Sequence, residues 1–188
     1  MKKLIALTIL FGWIATSFGM GNPTHKSKPR LKRIFAEKTD KGVVDFGLET
    51  IDGDTLILSE VDADVILLIF WSPFCGHCRH EIPDILKLEK KYGDRLKVIG
   101  IGMWATPKQI KALSKQFKID FDVCIYDTVL QRVPDFRIRG VPTMFLLDKN
   151  RVLKDMILGR VPMNVLEDRL KKVLGVTEQK QEGGEKDG

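Results

Sequence analysis

Two cysteines bound the last four residues of the segment Trp71-Ser72-Pro73-Phe74-Cys75-Gly76-His77-Cys78. Thiols at i and i+3 on the first turn of a helix can close a small disulfide ring. The first thiol would sit at the helix N-terminus, where unpaired N–H groups and the macrodipole favour a thiolate. Such placement lowers a cysteine pKa from ~8.5 into the range ~3.5–7.5. The second thiol points further into the body and suits a resolving role. Other chemistries for the pair are less well supplied. A zinc half-site could use Cys75, Cys78 and His77 or His80, but the sequence offers no second C-x-x-C and no H-x₃₋₅-H. Haem attachment needs His directly after the second Cys, and Arg79 stands there. A purely structural disulfide remains open. The T-x-x-C context of a thiol peroxidase is missing, with Ser72 the nearest approach. Cys124, inside a short apolar segment, is expected to be a buried core residue.

The elements around the pair read as alternating strands and helices. Val65–Trp71 (VILLIFW) is a continuous apolar run, as expected of a strand buried on both faces. It leads into a helix from about Cys75 to Tyr92, interrupted at Pro83. Leu96–Gly102 is a second buried strand, and Pro107–Phe117 a helix opened by proline. Phe121–Tyr126 is a short strand, and Thr128–Phe136 a weak helix bent or ended by Pro134. Thr143–Asp148 and Val152–Leu158 are paired strands, and Pro162–Leu174 is the closing helix. Upstream, Val43–Ile51 and Thr55–Leu58 flank an Asp52-Gly53-Asp54 turn, a hairpin signal. The order predicts an α/β fold around a mixed sheet. A C-x-x-C at a strand-to-helix junction in such a pattern is a strong redox signal.

The chain has 188 residues and 44% apolar residues, enough for one domain with a proper core. Three cysteines are too few for a disulfide-stapled scaffold. The net charge of +6 is unevenly placed. Residues 1–41 hold nine Lys/Arg against two acids, whereas residues 42–188 hold 22 against 23. A neutral body argues against nucleic acid as a partner. Met1-Lys2-Lys3 followed by the apolar run Leu4–Phe18 has the shape of a signal peptide or a short membrane anchor, over residues 1–21. Either implies export, and a retained anchor would attach the chain to a membrane. Residues 22–41 read as a basic linker, 42–175 as the folded domain and 176–188 as a polar, Gly-rich disordered tail.

Taken together, four stretches resemble the thioredoxin superfamily, in particular its TlpA/ResA/CcmG-like branch of extracytoplasmic thiol-disulfide oxidoreductases. They are Asp45-Phe46 through Gly53; Phe70 through Pro83, with its FW-x-x-x-C-x-x-C-x-x-E-x-P pattern; the helix-strand segment from about 105 to 126, which matches that branch's insertion; and Arg139-Gly140-Val141-Pro142-Thr143. The resemblance implies a thioredoxin-like fold: a central mixed sheet flanked by helices. It also implies disulfide exchange with protein thiols and disulfides, an upstream thiol-disulfide electron donor or acceptor, and no bound cofactor or metal. Cys75 and Cys78 are then the redox pair. Pro142 is a cis-proline that leaves the Val141 backbone free to pair with a partner. Glu81 handles the Cys78 proton, since the buried Asp of thioredoxins is replaced by Ile69. Trp71, Gly76, His77, Val141 and Pro142 are expected to line the partner-binding surface. The Gly76-His77 dipeptide departs from the pairs commoner in this branch. An imidazole there favours the reduced form and leaves the direction of electron flow open between reductant and oxidase or isomerase. A non-catalytic module that only binds peptides would not need the intact cysteine pair.

Overall fold

A computed structural model describes residues 34–176. The sequence-expected leader of residues 1–21 and the tail from residue 177 lie outside them. A five-stranded sheet in the order β6-β5-β4-β7-β8 forms the centre. Its strands are β4 (Val65–Trp71), β5 (Leu96–Gly102), β6 (Asp122–Ile125), β7 (Thr143–Asp148) and β8 (Leu153–Leu158). Strands β4, β5 and β6 are parallel, β7 runs antiparallel to β4, and β8 runs antiparallel to β7. This is the mixed α/β thioredoxin-like fold that the motif order implies.

β4 is the axis of the core. All seven of its residues are buried, so the strand has no solvent face to mark with polar residues. Alternation still sorts its side chains. Val65, Leu67, Ile69 and Trp71 pack with Ile82, Ile85 and Leu88 of helix α1 (Gly76–Tyr92), with Ile110 of α2 (Pro107–Gln116), and with Leu166 and Leu170 of α3 (Met163–Val173). Ile66, Leu68 and Phe70 face the opposite way, toward Phe46, Leu48, Phe136 and Phe145. There the hairpin of β2 (Val44–Glu49) and β3 (Thr55–Ile57), with β1 (Phe35–Lys38), covers the sheet.

Three expectations change on contact with the structure. The body begins before residue 42: Phe35–Lys38, expected as linker, forms β1, antiparallel to β2 with Ala36 opposite Phe46. Only Ala36 of these four residues is buried, so the strand is fixed by backbone pairing more than by apolar patterning. Helix α1 is not interrupted at Pro83 but runs through it. Proline removes one helical hydrogen bond there, while Ile82, Ile85 and Leu88 hold both halves against the sheet. The segment 128–136 forms two short 3₁₀ turns, Thr128–Arg132 and Pro134–Phe136, in place of a helix. Asp127 caps the first turn, and Pro134 starts the second where an α-helix would need an N–H donor.

Candidate redox site

The carboxyl end of β4 delivers the cysteines. Trp71 is the last strand residue, and the loop Ser72–Phe74 closes when the Cys75 N–H donates to the Ser72 carbonyl at 3.1 Å. Arg79 reaches back from the first turn of α1 to hold that loop: its Nε and Nη2 donate to the Pro73 carbonyl at 3.0 and 2.7 Å. Cys75 is the N-cap of α1, and its sulfur accepts the Cys78 N–H at 3.1 Å. Cys75 and Cys78 are joined as a disulfide with Cα atoms 5.3 Å apart. Cys78 is fully buried and Cys75 partly exposed. Gly76 and His77, between them, are both exposed.

Across the groove, the Val141–Pro142 peptide is cis. The Val141 carbonyl oxygen lies 3.3 Å from Cys75 Sγ. Thr143 Oγ1 donates to the Gly140 carbonyl at 2.7 Å, and the Gly159 N–H donates to the Pro142 carbonyl at 2.8 Å, tying this loop to the end of β8. The register places Phe70 opposite Thr143, so the two loops leave the sheet at the same edge.

Glu81 stands one turn after Cys78 and is 1% exposed. Neither of its carboxyl oxygens completes a hydrogen bond. Its nearest charge partner is Arg160, whose Nε lies 3.7 Å away and whose Nη2 is 3.9 Å from Asp84. Burial pushes the Glu81 carboxyl up to about 7. Arg160 opposes that rise, and so does the Val161 N–H, although it does not reach hydrogen-bond geometry. A buried carboxyl that titrates near neutrality beside a dithiol can give and take a proton.

The structure brings together Cys75, Cys78, Gly76, His77, Val141 and Pro142, with Glu81 behind them. Trp71 does not join them. Expected as a partner contact, it is fully buried, and its indole Nε1 points at Gly100, where an added Cβ would lie 2.9 Å away. Strand alternation turns Trp71 to the α1 face, so it backs the cysteines from inside the core. Cys124 is likewise buried in β6, and burial together with the nearby Asp122 charge pushes its thiol up to about 12. Such a thiol is unreactive at neutral pH. Among the described residues, no group of three or more His, Cys, Asp or Glu side chains could hold a metal ion.

Sequence reading missed two residues. Arg79 enters the sequence pattern only as the residue standing where haem attachment needs His, although a guanidinium on the first turn can reach the preceding loop. Arg160 meets Glu81 only through the fold, and nothing local marks it.

The AhpC/TSA family matches residues 39–156, and the chain belongs to it. The thioredoxin-like protein YneN of Bacillus subtilis is 29% identical over 129 residues, which is 67% of this chain and 75% of that protein. The thiol-disulfide oxidoreductase ResA of Bacillus cereus is 25% identical over 172 residues, or 91% of this chain and 94% of its own length. Among solved structures, one assigned as the thiol:disulfide interchange protein DsbE of Chlorobium tepidum superposes with a TM-score of 0.63 at 26% identity. It covers 77% of this chain and 99% of its own. The chain is a thiol-disulfide oxidoreductase of thioredoxin-like fold.

Proposed function

We propose that this AhpC/TSA-family chain reduces disulfides in protein partners outside the cytoplasm, by exchange at Cys75-Gly76-His77-Cys78. One observation carries the reading: the Cys75 sulfur caps α1, accepts the Cys78 N–H at 3.1 Å and lies beside the Val141 carbonyl. In the reduced enzyme the Cys75 thiolate attacks a partner disulfide. A Cys75–partner S–S bond forms, and the partner's other sulfur leaves as a thiolate. Cys78 then attacks the Cys75 sulfur, the second partner thiolate leaves, and the internal disulfide is restored. Two electrons have passed to the partner, and an upstream thiol-disulfide donor must return them.

Glu81 is placed to accept the Cys78 proton, because burial holds its pKa near the working pH. The Val141 backbone beside the cis-Pro142 bond offers an edge for an extended partner segment. Gly76 and His77 form the exposed rim that the partner crosses. Export rests on the sequence pattern of Met1-Lys2-Lys3 and Leu4–Phe18.

His77 bears on direction. An imidazole beside the Cys75 thiolate favours the reduced state, and such helix-end electrostatics are worth about 0.3–2 kcal/mol. Since ~1.4 kcal/mol corresponds to roughly 30 mV, the potential should fall between about −270 and −180 mV. Equilibration with glutathione tests this, and His77→Pro should make the site more reducing. A wild-type potential above the isomerase value of about −180 mV would instead favour an oxidase. Exchange itself is tested with Cys78→Ser, which should accumulate mixed disulfides with partner peptides. Failure to trap any would remove the proposed mechanism.

A further inference from the structure

The connection from β6 to β7 carries three exposed arginines, Arg132, Arg137 and Arg139, none of which forms an ion pair among the described residues. The one acid within residues 128–141, Asp135, is already taken by Lys38 Nζ at 2.6 Å. Asp127, just before the turn, uses its Oδ1 to accept the Val129 N–H. Arg137, Ile138 and Arg139 line a cleft of about 300 Å³ together with Tyr126 and Gln131. Gln131 Nε2 donates to the Tyr126 hydroxyl at 3.3 Å, which leaves that O–H free to donate into the cleft. The cleft therefore offers two guanidinium forks and a hydroxyl donor, a set that matches a carboxylate.

Its place in the fold matters more than its charge. The parallel strands β4, β5 and β6 end at one edge, with Trp71 in register with Gly102 and the Tyr126 N–H donating to the Gly102 carbonyl at 3.0 Å. Neighbouring strands are about 4.8 Å apart, so the end of β6 lies about 10 Å along that edge from the end of β4. Arg139 is also only two residues from Val141, a reach of about 7 Å in extended chain, and the Val141 carbonyl touches the Cys75 sulfur at 3.3 Å. A chain linked through sulfur to Cys75 and lying along this edge would bring its second to fourth residue to the arginines.

We infer that this cleft docks an acidic side chain of the protein partner, two to four residues from the cysteine that exchanges at Cys75. The inference rests on the proposed exchange and names which partners it favours. A lipid headgroup fits less well, because the arginines lie within a few residues' reach of the sulfur at which the partner peptide exchanges.

The test uses the full chain, reduced, with two disulfide-linked peptides that differ only in having Glu or Gln at the third residue from cysteine. The Glu peptide should react about fivefold faster in kcat/KM at low salt, the scale of one to two exposed ion pairs. The preference should shrink toward unity as salt screens it. Arg137→Gln/Arg139→Gln should bring the Glu/Gln ratio to about one, whereas Arg137→Lys/Arg139→Lys should keep part of it. Equal rates for the two peptides with wild-type protein, or a preference that survives loss of both arginines, would overturn the proposal. Binding to anionic vesicles that needs the arginines, without any peptide preference, would assign the patch to lipid and also overturn it. If the Gln peptide itself does not react with wild-type protein, the exchange reading has failed instead.

Discussion

The two ends of α1 present the same side-chain types to opposite fates. At the carboxyl end, Glu89 is half-buried and its pKa is raised by burial, yet its Oε1 accepts the Val98 N–H at 3.1 Å. Nearby, Glu167 takes Lys91 Nζ at 2.6 Å and the Tyr92 hydroxyl at 2.9 Å. These contacts pin the helix to β5 and α3, and each carboxylate has a donor. At the amino end, Glu81 is more deeply buried and has no hydrogen bond, and Cys75 caps the helix with a sulfur. Burial alone does not separate a structural carboxylate from a reactive one. Satisfaction does: a buried charge without donors is costly and changes protonation readily.

The largest effect expected from this contrast is on exchange. Cys75→Ser should abolish it, since no other described thiol is poised to attack. Cys124→Ser should leave it intact, which a peptide-disulfide turnover assay would register. Turnover that survives Cys75→Ser would break the comparison at its root.

Next in size is the titration of Glu81. Its folded pKa, about 7, lies above the ordinary glutamate value of 4.5. The protonated form therefore favours the folded state. That contribution is fully present below about pH 4.5 and is lost as pH rises through about 7. At ~1.4 kcal/mol per pKa unit the loss amounts to about 3 kcal/mol. Glu81→Gln, which cannot ionise, should gain stability relative to wild type between pH 5 and pH 8 in denaturant titrations. The same substitution should flatten the pH dependence of Cys78 reactivity near pH 7. A constant stability difference across that range would mean that Glu81 is ionised throughout.

At the opposite end, Glu89→Ala strips the partner from a backbone N–H and should cost about 1–3 kcal/mol, with no change in the pH profile of exchange. Glu167→Gln keeps an acceptor for the Tyr92 hydroxyl and gives up only the ion pair with the exposed Lys91, so it should cost no more than about 1 kcal/mol. An exchange defect in either variant would blur the distinction between the two ends.

How far the sequence reached depended on which forces were local. β4, β5 and β7 have the bounds that their apolar runs predict, because each is built around a segment buried on both faces. The cysteine pair, its helix start and the segment around Pro142 were legible for the same reason: the requirement lies in neighbouring residues. β1 was not legible, since its order comes from pairing with β2 and only Ala36 is buried. Motif position does not fix the face that Trp71 takes, because strand alternation sets its indole against Gly100. Arg160 meets Glu81 from 79 positions away in the chain, and no sequence pattern announces such a contact.

The most direct test of the division of labour between the thiols is timed alkylation of the reduced protein at pH 6–7, mapped by mass spectrometry. The helix-capping geometry predicts that Cys75 is modified first, with Cys78 and then Cys124 far behind, since both are fully buried. Labelling of Cys78 or Cys124 ahead of Cys75 would contradict the account.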